Sequence, residues 1–195
     1  MRTRSALPAP TLTGVGMSVL LALTAFAPTA EAQQTLSPMR IVSDRVASDN
    51  ARADSLEARA REMYSTSRWY IVAARLHRRA ALLRGDDPKA VESFRSAAWL
   101  YSVAGKHQLA REMMESAAER ATAFGDVEGA ANAYIDAAYL AIASSRDDQV
   151  PDILARMHAV LSSPLLTESR RAGILKRIGD APSIARLDTA THAKP

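Results

Sequence analysis

The chain has 195 residues, of which 48% are hydrophobic and 24% charged, and it carries a formal net charge of +4. This composition is that of one folded domain and excludes a chain that is disordered throughout. The absence of cysteine excludes disulfides, thiolate metal sites and a cysteine nucleophile, and the small net charge predicts no nucleic-acid partner.

Residues 1–32 have the pattern of a secretory signal peptide. Arg2 and Arg4 form a positive start, an apolar stretch of about 13 residues runs from Val15 to Ala27, and Ala30-Glu31-Ala32 supplies a small-x-small cleavage pattern. We therefore expect an exported protein, periplasmic or extracellular, whose mature chain begins near Gln33.

The alternative for this segment is a retained membrane anchor. A spanning helix needs about 20 apolar residues, whereas Pro28 and Glu31 end this apolar stretch sooner. Cleavage is therefore favoured, and no integral membrane span is expected in the mature protein.

Residues 33–46 are polar, contain Pro38 and lack a helical period, which predicts a linker. Ser48, Asp49 and Asn50 are good N-cap types, so a helix is expected to begin near them. Its inward face is predicted at Ala53, Leu56, Ala60, Met63 and Tyr64.

Residues 39–84 contain neither glycine nor proline, which would allow a single helix far longer than the usual 8 to 20 residues or so. We place a turn at the three hydroxyl residues 65–67, which can cap a new helix. That helix is expected to bury Trp69, Val72, Ala73, Leu76, Ala80 and Leu83 and to end at Gly85. The arginines beside this face, Arg75, Arg78, Arg79 and Arg84, are interpreted as a solvated flank, with contact to an anionic partner as the alternative.

The segment from Phe94 to Ala117 predicts two helices folded back on each other. Phe94, Ala97, Ala98 and Tyr101 have the spacing of one helix face, and Gly105 then interrupts the pattern. A second helix face follows at Ala110, Met114 and Ala117.

The first of these helices recurs about 40 residues later, which indicates a structural repeat. Tyr134 corresponds to Phe94, and Ala137-Ala138 to Ala97-Ala98. Tyr139, Leu140 and Ser145 then take the places of Trp99, Leu100 and Gly105.

The aromatic-x-x-small-small-x-x-Tyr helix, the turn glycine and the second alanine-rich helix resemble those of a tetratricopeptide repeat (TPR) protein. The resemblance implies an all-α, helix-turn-helix solenoid of about three pairs within residues 47–178. A helix at about 167–178 is expected to act as the C-terminal cap, since the end of a solenoid needs a polar face. Residues 179–195 lose apolar density and are expected to be a poorly ordered tail.

In the resembled family, the first helix of each pair lines a concave groove that binds a partner protein or peptide. By that likeness the groove residues here are Glu92, Arg95, Trp99, Asn132, Ile135, Asp136 and Tyr139. The alternative for Trp99 and Tyr139 is that they pack between neighbouring helices.

The sequence lacks the HExxH, GxSxG and phosphate-loop patterns of known catalytic sites. We accordingly expect no catalytic, metal-binding or cofactor-binding residues and no cofactor, and we interpret the protein as an interaction or scaffolding module of the cell envelope. Two alternatives remain: a structural helical subunit of a larger envelope assembly, and a small enzyme of unrecognised type.

Overall fold

The computed structural model describes residues 30–65 and 69–192, with side chains for residues 42–65 and 69–187. By its contacts the chain divides into two units, Met1–Pro38 and Met39–Pro195. The described residues form helices and turns and no strand. The α-helices are α1 (Ala30–Tyr64), α2 (Tyr70–Arg84), α3 (Lys89–Val103), α4 (His107–Ala123), α5 (Val127–Ala143), α6 (Val150–Leu161), α7 (Glu168–Gly179) and α8 (Pro182–His192).

From α2 to α6, each helix packs against the one that follows it in the chain. The buried faces are dominated by alanine, whose small side chain allows two helix axes to approach closely. Ile153, Leu154 and Met157 of α6 add larger buried side chains at the C-terminal end of this row. The result is an all-α arrangement of packed neighbouring helices, consistent with a helical repeat.

The repeat predicted between α3 and α5 is confirmed at its packing positions. Phe94 and Tyr134 are both buried, and the alanine pairs 97–98 and 137–138 are fully buried. Trp99 and Tyr139 are instead about half exposed, at 54% and 43%, so neither side chain is enclosed between helices. The two helices therefore present the same residue classes to the core and to the surface.

Three turns between helices share one backbone geometry at 20-residue intervals. Gly105, Gly125 and Ser145 have φ values of 69°, 76° and 57°, in the left-handed region that favours glycine. At the first of them, Lys106 N–H donates to the carbonyl of Tyr101 and Gly105 N–H to that of Ser102. This pair of bonds is the Schellman ending of a helix, and it is repeated at the other two turns. The turn predicted at Ser145 in place of a glycine is therefore present, with a serine in a strained conformation.

Helix α1 is longer than the sequence analysis predicts. It begins at Ala30, so residues 33–46, expected to be a linker, are helical, and Ser48, Asp49 and Asn50 lie inside the helix. Asp49 and Asn50 could cap a helix, but here they bind other side chains. Asp49 faces Arg45 and Arg52, and the Asn50 amide donates to Asp87 at 3.2 Å. The helix ends at Tyr64 and a turn follows at Ser65; residues 66–68, and the predicted signal peptide before Ala30, lie outside the described residues.

Helix α2 buries a face that shares only Ala73 and Ala80 with the predicted one. Its buried residues are Ala73, Ala74, His77, Ala80, Ala81 and Arg84, whereas Val72, Leu76 and Leu83 are only half-buried. Trp69, expected in the core, lies just before the helix and is 51% exposed. The alanine stripe faces inward because it permits a close approach of α3, and the larger aliphatic side chains flank it.

The C-terminal end also differs from the prediction. Thr167 caps α7 as expected, accepting the Arg170 N–H at 3.4 Å, and Ile174 and Ile178 are buried. The segment after Gly179, expected to be poorly ordered, forms α8, which packs on α6 and α7. Ala181 and Ile184 are buried and Leu187 partly so, and this spacing of three residues gives a short helix one apolar stripe despite its low overall apolar content.

Candidate functional site

An exposed aromatic pair lies where the C-terminal end of α1 meets α3. The rings of Tyr64 and Trp99 are 6.1 Å apart between centroids and meet edge to face at 79°. The two neighbours of Trp99 in the sequence, Ala98 and Leu100, are buried, so Trp99 lies on the exposed face of α3. Aromatic rings in this arrangement attract each other, and the pair forms a stable apolar platform open to solvent.

A groove of about 510 Å³ opens beside this platform, between α1, α2 and α3. Its size is within the range of ligand-binding clefts. Its walls combine aromatic, charged and polar side chains over a buried floor. The lining residues are Glu57, Arg61, Tyr64, His77, Glu92, Arg95, Ser96, Trp99, Leu100 and Met114.

The wall that α1 contributes is held by a buried arginine of α2. The Arg84 side chain is 3% exposed, and both of its terminal nitrogens donate to the carboxylate of Glu57, the Nη2–Oε2 distance being 3.0 Å. Nη2 also donates to Asp54 at 2.6 Å, and Nη1 to the hydroxyl of Ser93 in α3. The Ser93 hydroxyl in turn donates to Glu57 at 2.6 Å. One guanidinium thus joins α1, α2 and α3 at Glu57, a residue of the groove lining.

This arrangement corrects the interpretation of the arginine cluster. Arg75, Arg78 and Arg79 are exposed, as a solvated flank requires, but Arg84 is buried and paired. A two-point match between a guanidinium and a carboxylate is the strongest geometry available to such a pair.

The pKa values of two titratable groups on the groove floor, Glu57 and His77, are shifted by burial and by the neighbouring charges. Burial alone would raise the pKa of Glu57, but hydrogen bonds from Arg84 and Ser93 and the arginine charge hold it below its ordinary value. Burial lowers the pKa of His77, and the charges of Arg61 and Arg84 lower it further against the opposing effect of Glu57. His77 Nδ1 is buried, has no hydrogen-bond partner among the residues that the structure describes, and lies 3.9 Å from Glu57 Oε1. The floor therefore favours an ionised Glu57 and a neutral His77.

The structure brings some of the predicted groove residues together. Arg95, Trp99 and Glu92 line the groove described above. Asp136 lies farther along, on α5: burial raises its pKa, and the charges of Arg177 and Arg95 lower it in part.

The other predicted residues of α5 divide between surface and core. Asn132 accepts a hydrogen bond from Arg177 of α7, and Tyr139 is exposed. Ile135, by contrast, is 1% exposed, so this predicted groove residue belongs to the core. Ile135 follows Tyr134 directly and belongs to the same buried cluster. The family likeness assigned it to the groove by its position alone and could not show this packing.

The sequence reasoning missed Arg61, His77 and Arg177, and it wrongly placed Tyr64 on the buried face of its helix, whereas Tyr64 is 38% exposed. Arg61 and Tyr64 are three positions apart on α1, which places them on one helix face. The spacing of Arg61 and Tyr64 was a usable signal; the approach of Arg177 to α5 depends on how distant helices pack and has no local signal.

No protein-family model matches the chain, and no characterised protein matches its sequence. Within residues 30–65 and 69–192, no helix combines the length and the apolar character needed to cross a bilayer. In that same part of the chain, no three His, Asp or Glu side chains are grouped as metal ligands would be.

Proposed function

We propose that this protein is an exported interaction module of the TPR-like kind, which binds a peptide segment of a partner protein in the groove between α1, α2 and α3. The observation that carries the proposal is the exposed Trp99, paired with Tyr64 on the rim of that groove. Tryptophan and tyrosine are the residue types that most often dominate the binding energy of protein interfaces.

The exposed part of Trp99 is large enough to anchor a partner. A tryptophan buries roughly 150–250 Å² when enclosed, so covering the 54% that is exposed removes about 100 Å² from water. At about 25 cal/mol per Å², that area corresponds to about 2.5 kcal/mol. A contribution of this size is that of an interface hot spot, and its loss weakens binding by roughly 30-fold or more.

The groove wall is also well held in the absence of a partner. Arg84 fixes α1 against α2 and α3 through Glu57, and Ser93 adds a hydrogen bond to the same carboxylate. A site that is already in its binding geometry loses less conformational entropy when it binds. This supports binding of a peptide without a large rearrangement of the groove.

A peptide selection tests the proposed function. Random peptides displayed on phage are selected against the mature protein, and their affinities are then measured for the wild type, Trp99→Ala and Trp69→Ala. Trp69 is the matched control, since it is 51% exposed but does not line the groove. We expect a loss of roughly 30-fold or more with Trp99→Ala and little change with Trp69→Ala. Failure to select any peptide, or equal binding by the two variants, would refute the proposal.

The proposed setting outside the cytoplasm is supported by the sequence of residues 1–32. N-terminal sequencing of protein recovered from a secreting host tests it, and a chain beginning at or near Gln33 is expected. Recovery of an intact Met1 species in the membrane fraction would favour the anchor instead.

A further inference from the structure

Among the described residues, the charged side chains that line the groove do not all form ion pairs. Glu57 is held by Arg84, and Glu92 faces Arg95 at 3.5 Å. Arg61 is exposed, lines the same groove and forms no ion pair with any residue that the structure describes. Among the described residues, Arg61 is therefore a lining cation that no carboxylate pairs with.

The position of Arg61 places this charge beside the aromatic platform. It precedes Tyr64 by three residues on α1, and residues at that spacing share a helix face. Its charge also acts on His77 at the groove floor, where it helps to lower the pKa of the imidazole. A group bound on Tyr64 and Trp99 would consequently have a guanidinium within reach of its next side chain.

We infer that Arg61 selects a partner segment in which an aspartate or glutamate lies next to the apolar side chain seated on Tyr64 and Trp99. The inference rests on the proposed function, because it names the chemistry of the peptide that the groove binds. A guanidinium binds a carboxylate through two parallel hydrogen bonds, which gives the contact direction as well as charge. The partner is thus an acidic peptide segment with an apolar anchor.

Arg61 should add little to the affinity for the peptide, but it should determine which peptides the groove prefers. Arg61 is exposed, so its ion pair is screened by solvent and weakened by salt. Removing it should cost about fivefold at low ionic strength, and reversing its charge should cost more, because like charges then face each other.

A charge-swap experiment tests the inference with a matched control on the same helix. Peptides selected on the wild type are measured against Arg61→Glu and Arg59→Glu, in a Trp69→Phe background that leaves Trp99 as the sole tryptophan fluorophore. Arg59 is exposed and lies outside the groove lining. Each peptide is tested in its selected form and with its acidic residue replaced by lysine.

The expected result is that the selected peptides carry an acidic residue beside an apolar one. Arg61→Glu should bind them at least fivefold more weakly, and it should prefer the lysine form, whereas Arg59→Glu should behave as the wild type. Selection of basic or uncharged peptides, or equal losses in the two charge variants, would overturn the role of Arg61. That outcome leaves the proposed function intact if Trp99→Ala still weakens binding by roughly 30-fold or more, so the two failures are distinguishable.

Discussion

Replacing Arg84 with methionine tests whether the buried ion pair holds α1 in place. The substitution keeps much of the side-chain volume and removes the charge that faces Glu57. Breaking a buried ion pair from one side costs about 3–5 kcal/mol, because the remaining charge is left without compensation. Glu57 is 18% exposed and Asp54 is 61% exposed, so water recovers part of the loss and the lower end of that range applies.

We therefore expect Arg84→Met to lower the free energy of unfolding by about 3 kcal/mol, which corresponds to a fall in Tm of about 6–12 °C for a chain of this size. Urea denaturation followed by helical circular dichroism measures the change. Arg78→Met is the matched control, since Arg78 is exposed on the same helix, and its effect should stay within about 0.5 kcal/mol.

The pH dependence gives the prediction a second readout. The folded-state pKa of Glu57 is depressed in the wild type, so its contribution to stability is present above the ordinary value and is lost as the pH falls through the folded-state value. Without Arg84, less of the effect of burial is offset, so the pKa of Glu57 should be higher in the variant than in the wild type. The difference between the wild type and Arg84→Met should accordingly shrink as the pH falls from the folded-state pKa of Glu57 in the variant to that in the wild type, which lies below 4.5. An Arg84→Met variant that is no less stable than Arg78→Met would refute the account of this cluster.

Three further substitutions test the packing, the turns and a buried charge by urea denaturation. Ala98→Leu should overpack the contact between α3 and its neighbours and cost about 1–3 kcal/mol, whereas Ala155→Leu, at an exposed position of α6, should change little; equal tolerance would contradict the close packing. Ser145→Gly should stabilise the protein by about 0.5–1 kcal/mol by relieving the positive φ, and a loss of stability would refute the strain. Asp136→Asn should stabilise the protein more at pH 7 than at pH 3, because a raised folded-state pKa means that ionised Asp136 costs stability at neutral pH; the opposite trend would mean that Arg95 and Arg177 outweigh its burial.

The features that sequence alone predicted are those with a local cause. The spacing of Phe94, Ala97 and Ala98 requires only that a helix bury its apolar face, and the repeat of that spacing predicted the buried face of α5. The helix endings at Gly105 and Ser145 are likewise local, because the chain must reverse within a few residues.

The features that were missed depend on which distant elements meet. Nothing in the sequence separates Arg84 from the exposed Arg78 and Arg79; only the arrival of Glu57 from α1 and of Ser93 from α3 makes its burial favourable. Helix α8 also depends on distant elements. Its single apolar stripe is buried because α6 and α7 provide a surface that covers it. A helical pattern shows which side chains face inward, but not which helix they will meet.

The central claim is that Trp99 is an exposed anchor that a peptide covers. The most direct measurement is acrylamide quenching of Trp99 fluorescence in the Trp69→Phe variant, with and without a saturating selected peptide. The account predicts strong quenching in the free protein, because the indole is 54% exposed, and protection from acrylamide when the peptide is bound. An indole already shielded in the free protein, or equally quenched in the complex, would contradict it.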